Sequence, residues 1–150
     1  MKNDLNNLSW PNKKIYTLSS SGILNDDILR NLDLPESFNA VPNLELTHHV
    51  DKRDGFPLQF LDSDLIIVAL PFQFHLEEKD QQVIKILAHE VTDGMLSKYY
   101  KNIKSYELDN DVLVYVYTKI QEISSTDIDY LLNEFKQKYP EYPVLFSISR

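Results

Sequence analysis

Asp64-Leu65-Ile66-Ile67-Val68-Ala69-Leu70-Pro71 contains the longest run of aliphatic side chains in the chain, the six residues from Leu65 to Leu70. A helix that crosses a bilayer needs roughly 20 apolar residues, so six make no membrane span. The run does not alternate between apolar and polar, and a strand without alternation must be covered on both faces. It therefore predicts a central strand with helices packed on either side.

Working toward the N-terminus, Lys14-Ile15-Tyr16-Thr17-Leu18-Ser19 is rich in β-formers and follows Trp10-Pro11-Asn12, which predicts a first strand entered from a turn. Ser19-Ser20-Ser21-Gly22 ends it. Asn25 then stands at an N-cap position, with Asp26 and Asp27 in the first turn and Ile28, Leu29 and Leu32 as an apolar face. Pro35 stops that helix. A second strand is expected at Leu44 to Val50, followed by the turn Asp51-Lys52-Arg53-Asp54-Gly55 and a short amphipathic piece through Phe60 and Leu61.

Toward the C-terminus, Val83, Ile84, Leu87, Ala88 and Val91 keep one stripe of a helix expected over Glu77 to Val91, with Asp93-Gly94 as its stop. Ile103 to Leu108 and Val112 to Ile120 flank Asp109-Asn110-Asp111 and predict a β-hairpin. Ser125 or Thr126 caps a last helix that carries Ile128, Leu131, Leu132 and Phe135 to about Lys138. This order predicts an α/β fold. The expected form is a three-layer Rossmann-like sandwich with a mainly parallel sheet and an antiparallel hairpin at one side.

The 150 residues suffice for one domain, with residues 1–12 as a loose leader or linker. A net charge of −8 repels phosphate backbones and anionic headgroups, which disfavours nucleic acid and lipid surfaces as partners. Cysteine is absent, so disulfides, thiol nucleophiles and thiolate metal sites are excluded. Met1-Lys2-Asn3-Asp4-Leu5-Asn6-Asn7 has no apolar core and encodes no cleavable signal, and a piece of a longer chain would begin in the same polar way.

Chemistry is sparse. Ser-Ser-Ser-Gly lacks both the G-x-G-x-x-G fingerprint and the P-loop lysine, and no G-x-S-x-G elbow exists, so neither cofactor nor catalytic residue is assigned. His48 and His49 beside Asp51 and Asp54 offer metal-ligand atoms, but on one strand they face opposite sides, so packing and surface roles are expected and no metal is assigned. His89 sits in the long helix near Glu90 and is read as balancing local charge. Tyr99, Tyr100, Tyr115, Tyr117, Tyr139 and Tyr142 could stack on sugars or cover a helix. Parallel strands present their carboxyl ends on one side, which brings Ser20, Ser21, Asp51, Arg53, Asp54, Gln73 and His75 toward one edge. Their side chains suit a polyol or a carboxylate. The competing account makes Arg53 an ion-pair partner of Asp51 or Asp54 that holds the loop shut.

Four strings carry a resemblance. They are Leu24-Asn25-Asp26-Asp27-Ile28-Leu29-Arg30-Asn31, then His49-Val50-Asp51-Lys52-Arg53-Asp54-Gly55-Phe56-Pro57-Leu58-Gln59-Phe60, then Ala69-Leu70-Pro71-Phe72-Gln73-Phe74-His75-Leu76 with Asp80-Gln81-Gln82-Val83-Ile84. With Ser105 to Asn110 and the Tyr139-Pro140-Glu141-Tyr142-Pro143 ending, the chain resembles a soluble C-terminal domain of certain bacterial polytopic membrane glycosyltransferases. That family is the dolichyl-phosphate-mannose protein mannosyltransferase superfamily. The resemblance implies an enzyme whose catalytic carboxylates lie on a membrane-embedded half that uses lipid-linked sugar donors, so no catalytic residue carries over to this chain. It further implies an accessory domain on the outer face of the bacterial cytoplasmic membrane. Its partner would be the catalytic half of the same polypeptide, with a glycan or acceptor as ligand. A standalone ligand-binding protein or small enzyme, and a pure interaction module, remain alternatives.

Overall fold

A computed structural model describes residues 1–8, 12–32 and 40–148. The elements run α1 (Lys2–Leu8), β1 (Ile15–Leu18), α2 (Asp26–Arg30), α3 (Asp51–Asp54), α4 (Leu58–Asp62), β2 (Leu65–Leu70), α5 (Gln82–Thr92), β3 (Tyr100–Leu108), β4 (Val112–Lys119) and α6 (Ser125–Lys138), with short 3₁₀ turns at Glu78–Asp80, Met95–Tyr99 and Pro143–Phe146. The expected turn at Trp10 and Pro11 and the helix stop at Pro35 lie outside the described residues.

One four-stranded sheet has the order β1-β2-β4-β3. β1 pairs parallel with β2, from Ile15 opposite Leu65 to Leu18 opposite Val68. β4 pairs antiparallel with β2 and with β3, so the expected mainly parallel sheet is corrected to a mixed one. The hairpin does lie at one side, closed by Asn110 and Asp111 at φ 61° and 58°, residue types that tolerate the left-handed region.

The central strand is as the aliphatic run predicts. Leu65, Ile66, Ile67 and Val68 are wholly buried, and consecutive side chains enter different cores. Ile66 and Val68 join Tyr16 and Leu18 against α5 and α6, through Val83, Ile84, Leu87, Leu131, Leu132 and Phe135. Leu65 and Ile67 join Ile15, Val112, Val114 and Val116 on the opposite face, covered by Leu5, Leu24, Leu29, Val41 and Leu44. Leu5 belongs to α1, so residues 2–8 form a packed helix where a loose leader was expected.

The second expected strand does not form. Leu44 makes one isolated bridge to Ile15, and residues 45–50 are extended without a ladder. Side chains take the donors a ladder would have used. Thr47 N–H goes to Asp26 Oδ2 at 3.1 Å, His48 N–H to the Tyr16 hydroxyl at 3.0 Å, and His49 and Val50 N–H to Asp54 Oδ2 at 2.9 and 3.0 Å. The segment's one bridge lies on the edge of β1 away from β2, and β4 pairs along the other edge of β2.

Two helix starts also move. Asp51 reaches across from α3 and accepts the N–H groups of Gln82 at 2.6 Å and Val83 at 3.1 Å, so α5 begins at Gln82 and not at Glu77. Ser124 is the cap of α6, accepting the Asp127 N–H at 3.2 Å, where Ser125 or Thr126 was expected.

Candidate functional site

The isolated bridge between Ser20 and Phe74 continues the β1–β2 pairing past both strand ends, so the two post-strand loops run side by side. The segment 45–50 crosses beside them. Four side chains meet at the junction: Ser20 after β1, His49 in the crossing segment, His75 after β2, and Gln81 just before α5.

Ser20 Oγ lies 2.7 Å from His49 Nδ1 and 2.7 Å from His75 Nδ1. Gln81 Oε1 accepts the N–H groups of His75 at 3.1 Å and Leu76 at 3.2 Å, which orients the amide. Its Nε2 then donates to Ser20 Oγ at 2.9 Å and to the His49 carbonyl at 3.2 Å. A hydroxyl has one hydrogen and two lone pairs, and Gln81 fills one of the pairs. The hydrogen goes to one imidazole, and the Nδ1–H of the other fills the remaining pair. His75 Nδ1 faces both an acceptor, the Ser20 carbonyl at 2.9 Å, and a donor, Gln81 Nε2 at 3.2 Å, so it suits either role.

On its far side His49 Nε2 lies 3.0 Å from Asp26 Oδ1. Burial works to raise the Asp26 carboxyl, but His49 and the Thr47 N–H outweigh it and hold the group below its ordinary value. Asp26, His49 and Ser20 thus stand in the sequence carboxylate, base, hydroxyl that nucleophilic enzymes use. The serine is not poised as theirs are: Ser20 is wholly buried and both lone pairs of Oγ are occupied.

Beside this junction lies a cleft of about 380 Å³, whose walls include Asp26, Thr47, His48, Arg53, Asp54 and Gln59. Arg53 forks onto Asp54 at 2.5 and 2.9 Å, while Asp54 also accepts two backbone N–H groups. Burial pushes the Asp54 carboxyl up, but Arg53 and those N–H groups prevail and hold it at about 2. Gln59 Oε1, buried at the wall, has no hydrogen-bond donor among the described residues.

The residues singled out by sequence separate into groups. Ser20 and His75 meet directly. Ser21 turns inward and closes its own loop, accepting the N–H groups of Ile23 at 3.2 Å and Leu24 at 3.1 Å. Asp51 is buried under α5, where the Tyr139 hydroxyl also donates to it, and burial, outweighing those hydrogen bonds, raises its carboxyl. Arg53 and Asp54 pair with each other in the cleft wall, as the closed-loop account has it for Asp54 though not for Asp51. Gln73 is half-buried and hydrogen-bonds none of the others. Sequence reasoning missed Asp26, Gln59 and Gln81 as site residues, and it placed His49 on a strand that does not exist. Gln81 lay inside the helix expected from Glu77, and no sequence signal marked it as a site residue. Tyr99, Tyr100 and Tyr139 are buried, while Tyr115 and Tyr117 are half-buried neighbours on β4 with ring centroids 6.4 Å apart.

Among the described residues no cluster of three or more His, Asp or Glu is arranged to hold a metal ion, and no helix is long and apolar enough to cross a membrane. No protein-family model, curated protein or solved structure matches the chain.

Proposed function

We propose that this chain is a non-catalytic binding domain whose cleft beside the Ser20–His49 junction takes a polyhydroxylated ligand, a glycan or glycan acceptor. The observation that carries the reading is the cleft itself, about 380 Å³ and walled by the polar side chains of Thr47, His48, Arg53, Asp54 and Gln59, which can exchange hydrogen bonds with ligand hydroxyls. The resemblance to the C-terminal domain of membrane glycosyltransferases supports the same reading. It makes the chain an accessory domain on the outer face of the cytoplasmic membrane, partnered by a membrane-embedded catalytic half. A Rossmann-like three-layer arrangement belongs to this proposal too, supported by the parallel β1–β2 pair and the cores on both faces of the sheet.

Titrating neutral oligosaccharides into isotope-labelled protein tests the binding. Amide shifts are expected at Thr47, His48, Arg53 and Gln59, with Gln59→Ala weakening binding about tenfold, the worth of one hydrogen bond. Shifts confined to other surfaces, or none at millimolar sugar, overturn it. An upstream run of hydrophobic segments in the same reading frame supports the glycosyltransferase context, and a frame that opens at Met1 removes it.

A standalone enzyme is the second reading, favoured by the order Asp26, His49, Ser20. A fluorophosphonate probe discriminates: covalent labelling of Ser20 supports hydrolase chemistry, and an unlabelled Ser20 supports the binding domain.

A further inference from the structure

We infer that Ser20, His49 and His75 form a two-proton latch that holds the binding cleft together at neutral pH and releases it in acid. The inference follows from counting donors around one oxygen. Ser20 Oγ is approached by Gln81 Nε2, a permanent donor, and by two imidazole Nδ1 atoms at 2.7 Å each. With both imidazoles neutral, one accepts the hydroxyl hydrogen and the other donates. A single proton is tolerated: if it resides on His49, beside Asp26, the hydroxyl turns to His75 Nδ1. Two protons are not. Even with the His75 Nδ1–H turned to the Ser20 carbonyl at 2.9 Å, Gln81 and His49 fill both lone pairs of Oγ, the hydroxyl hydrogen has no acceptor, and two cationic rings stand with centroids 5.7 Å apart.

The surrounding charges do not relieve this. Asp26 on α2 faces only the Nε2 side of His49. Asp54 on α3 is engaged by Arg53 and by the backbone N–H groups of His49 and Val50. Lys85 on α5 lies over the neighbouring Phe74 ring at 5.5 Å and is paired with Glu78, adding no acceptor. Histidine is the side chain that ordinarily changes charge between pH 5 and 8, and His75 is exposed to solvent, so the second proton has a path.

What the latch holds is the crossing segment. His49 joins it to both post-strand loops, and Thr47, His48 and His49 line the cleft. Its consequence for a ligand rests on the cleft reading above. The latch itself is measured without ligand, so its failure is separate from a failed sugar titration.

Amide hydrogen exchange along a pH series tests it. Protection at His49, Val50, His75 and Leu76, corrected for intrinsic rates, is expected to fall at least tenfold between pH 7.5 and 5.0, with a slope approaching one proton, the second of the pair. In His75→Asn the side-chain Oδ1 takes the place of Nδ1 as a permanent acceptor, and protection is expected to persist to pH 5.0. Unchanged wild-type protection, or a His75→Asn chain that opens as the wild type does, overturns the latch. If that variant fails to fold, nitrogen NMR of the wild-type imidazoles decides. Opening that coincides with protonation of both Nδ1 atoms supports the inference, and opening with one Nδ1 still unprotonated overturns it.

Discussion

Asp51 shows how one carboxylate can carry several elements. It accepts the N–H groups of Gln82 and Val83 and the Tyr139 hydroxyl, so α3, α5 and the end of α6 meet at its two oxygens. Asp51→Ala leaves these donors buried and unpaired, and the expected loss is about 3 kcal/mol in urea unfolding. Asp54 contributes in a pH-dependent way. Its carboxyl sits at about 2 in the folded chain against an ordinary 3.8, so its stabilisation is present above the unfolded value and lost as pH falls toward 2. Because solvent around the exposed Arg53 screens the pair, Asp54→Asn is expected to cost about 1–2 kcal/mol at pH 7. The gap from wild type should close between about pH 4 and pH 2 in stability measured across that window. A gap that widens on acidification would sink the assignment. Nothing in the sequence around Asp51 marks its role, because its partners lie 31 to 88 residues away, whereas Asp54 pairs with its own neighbours and its contact with Arg53 was legible in the sequence.

At the scale of elements, local pattern and final structure agree where the pattern is self-sufficient. The run Leu65 to Leu70 became the central strand, the 83–91 stripe became α5, and the alternation of Val112, Val114 and Val116 became β4. Val68→Asp is expected to abolish folding, since a wholly buried, unpaired carboxylate costs several kcal/mol, on the order of total stability; a cooperative native melt would refute the placement. The segment 44–50 is where pattern failed. Its residues have strand propensity, yet Asp26, Tyr16 and Asp54 satisfied its N–H groups from elsewhere, and a ladder became unnecessary. Helix α1 is the reverse case, a polar stretch of seven residues given a place by one buried leucine. Leu5→Ala should cost about 2–3 kcal/mol if that docking is native, and near zero if the helix is unattached.

For the whole molecule, β2 couples the two cores, because Ile67 enters one and Val68 the other. Far-ultraviolet circular dichroism and tyrosine fluorescence are therefore expected to report one coincident unfolding transition. Earlier loss of the face carrying α1 and α2 would show the cores to be independent. The sequence by itself determined the α/β class, the buried central strand, the hairpin and the two long helices, since each depends on periodicity and propensity within about a dozen neighbouring residues. It also brought Ser20 and His75 to one edge, because strand ends share a side. Only the tertiary structure decided the mixed sheet, the unladdered 45–50 segment, and the meeting of Ser20, His49, His75 and Gln81 around one hydroxyl. Those outcomes rest on which buried donors find which acceptors across separations of 29 to 61 residues, and hydrogen-bond satisfaction at that range leaves no periodic trace in the chain.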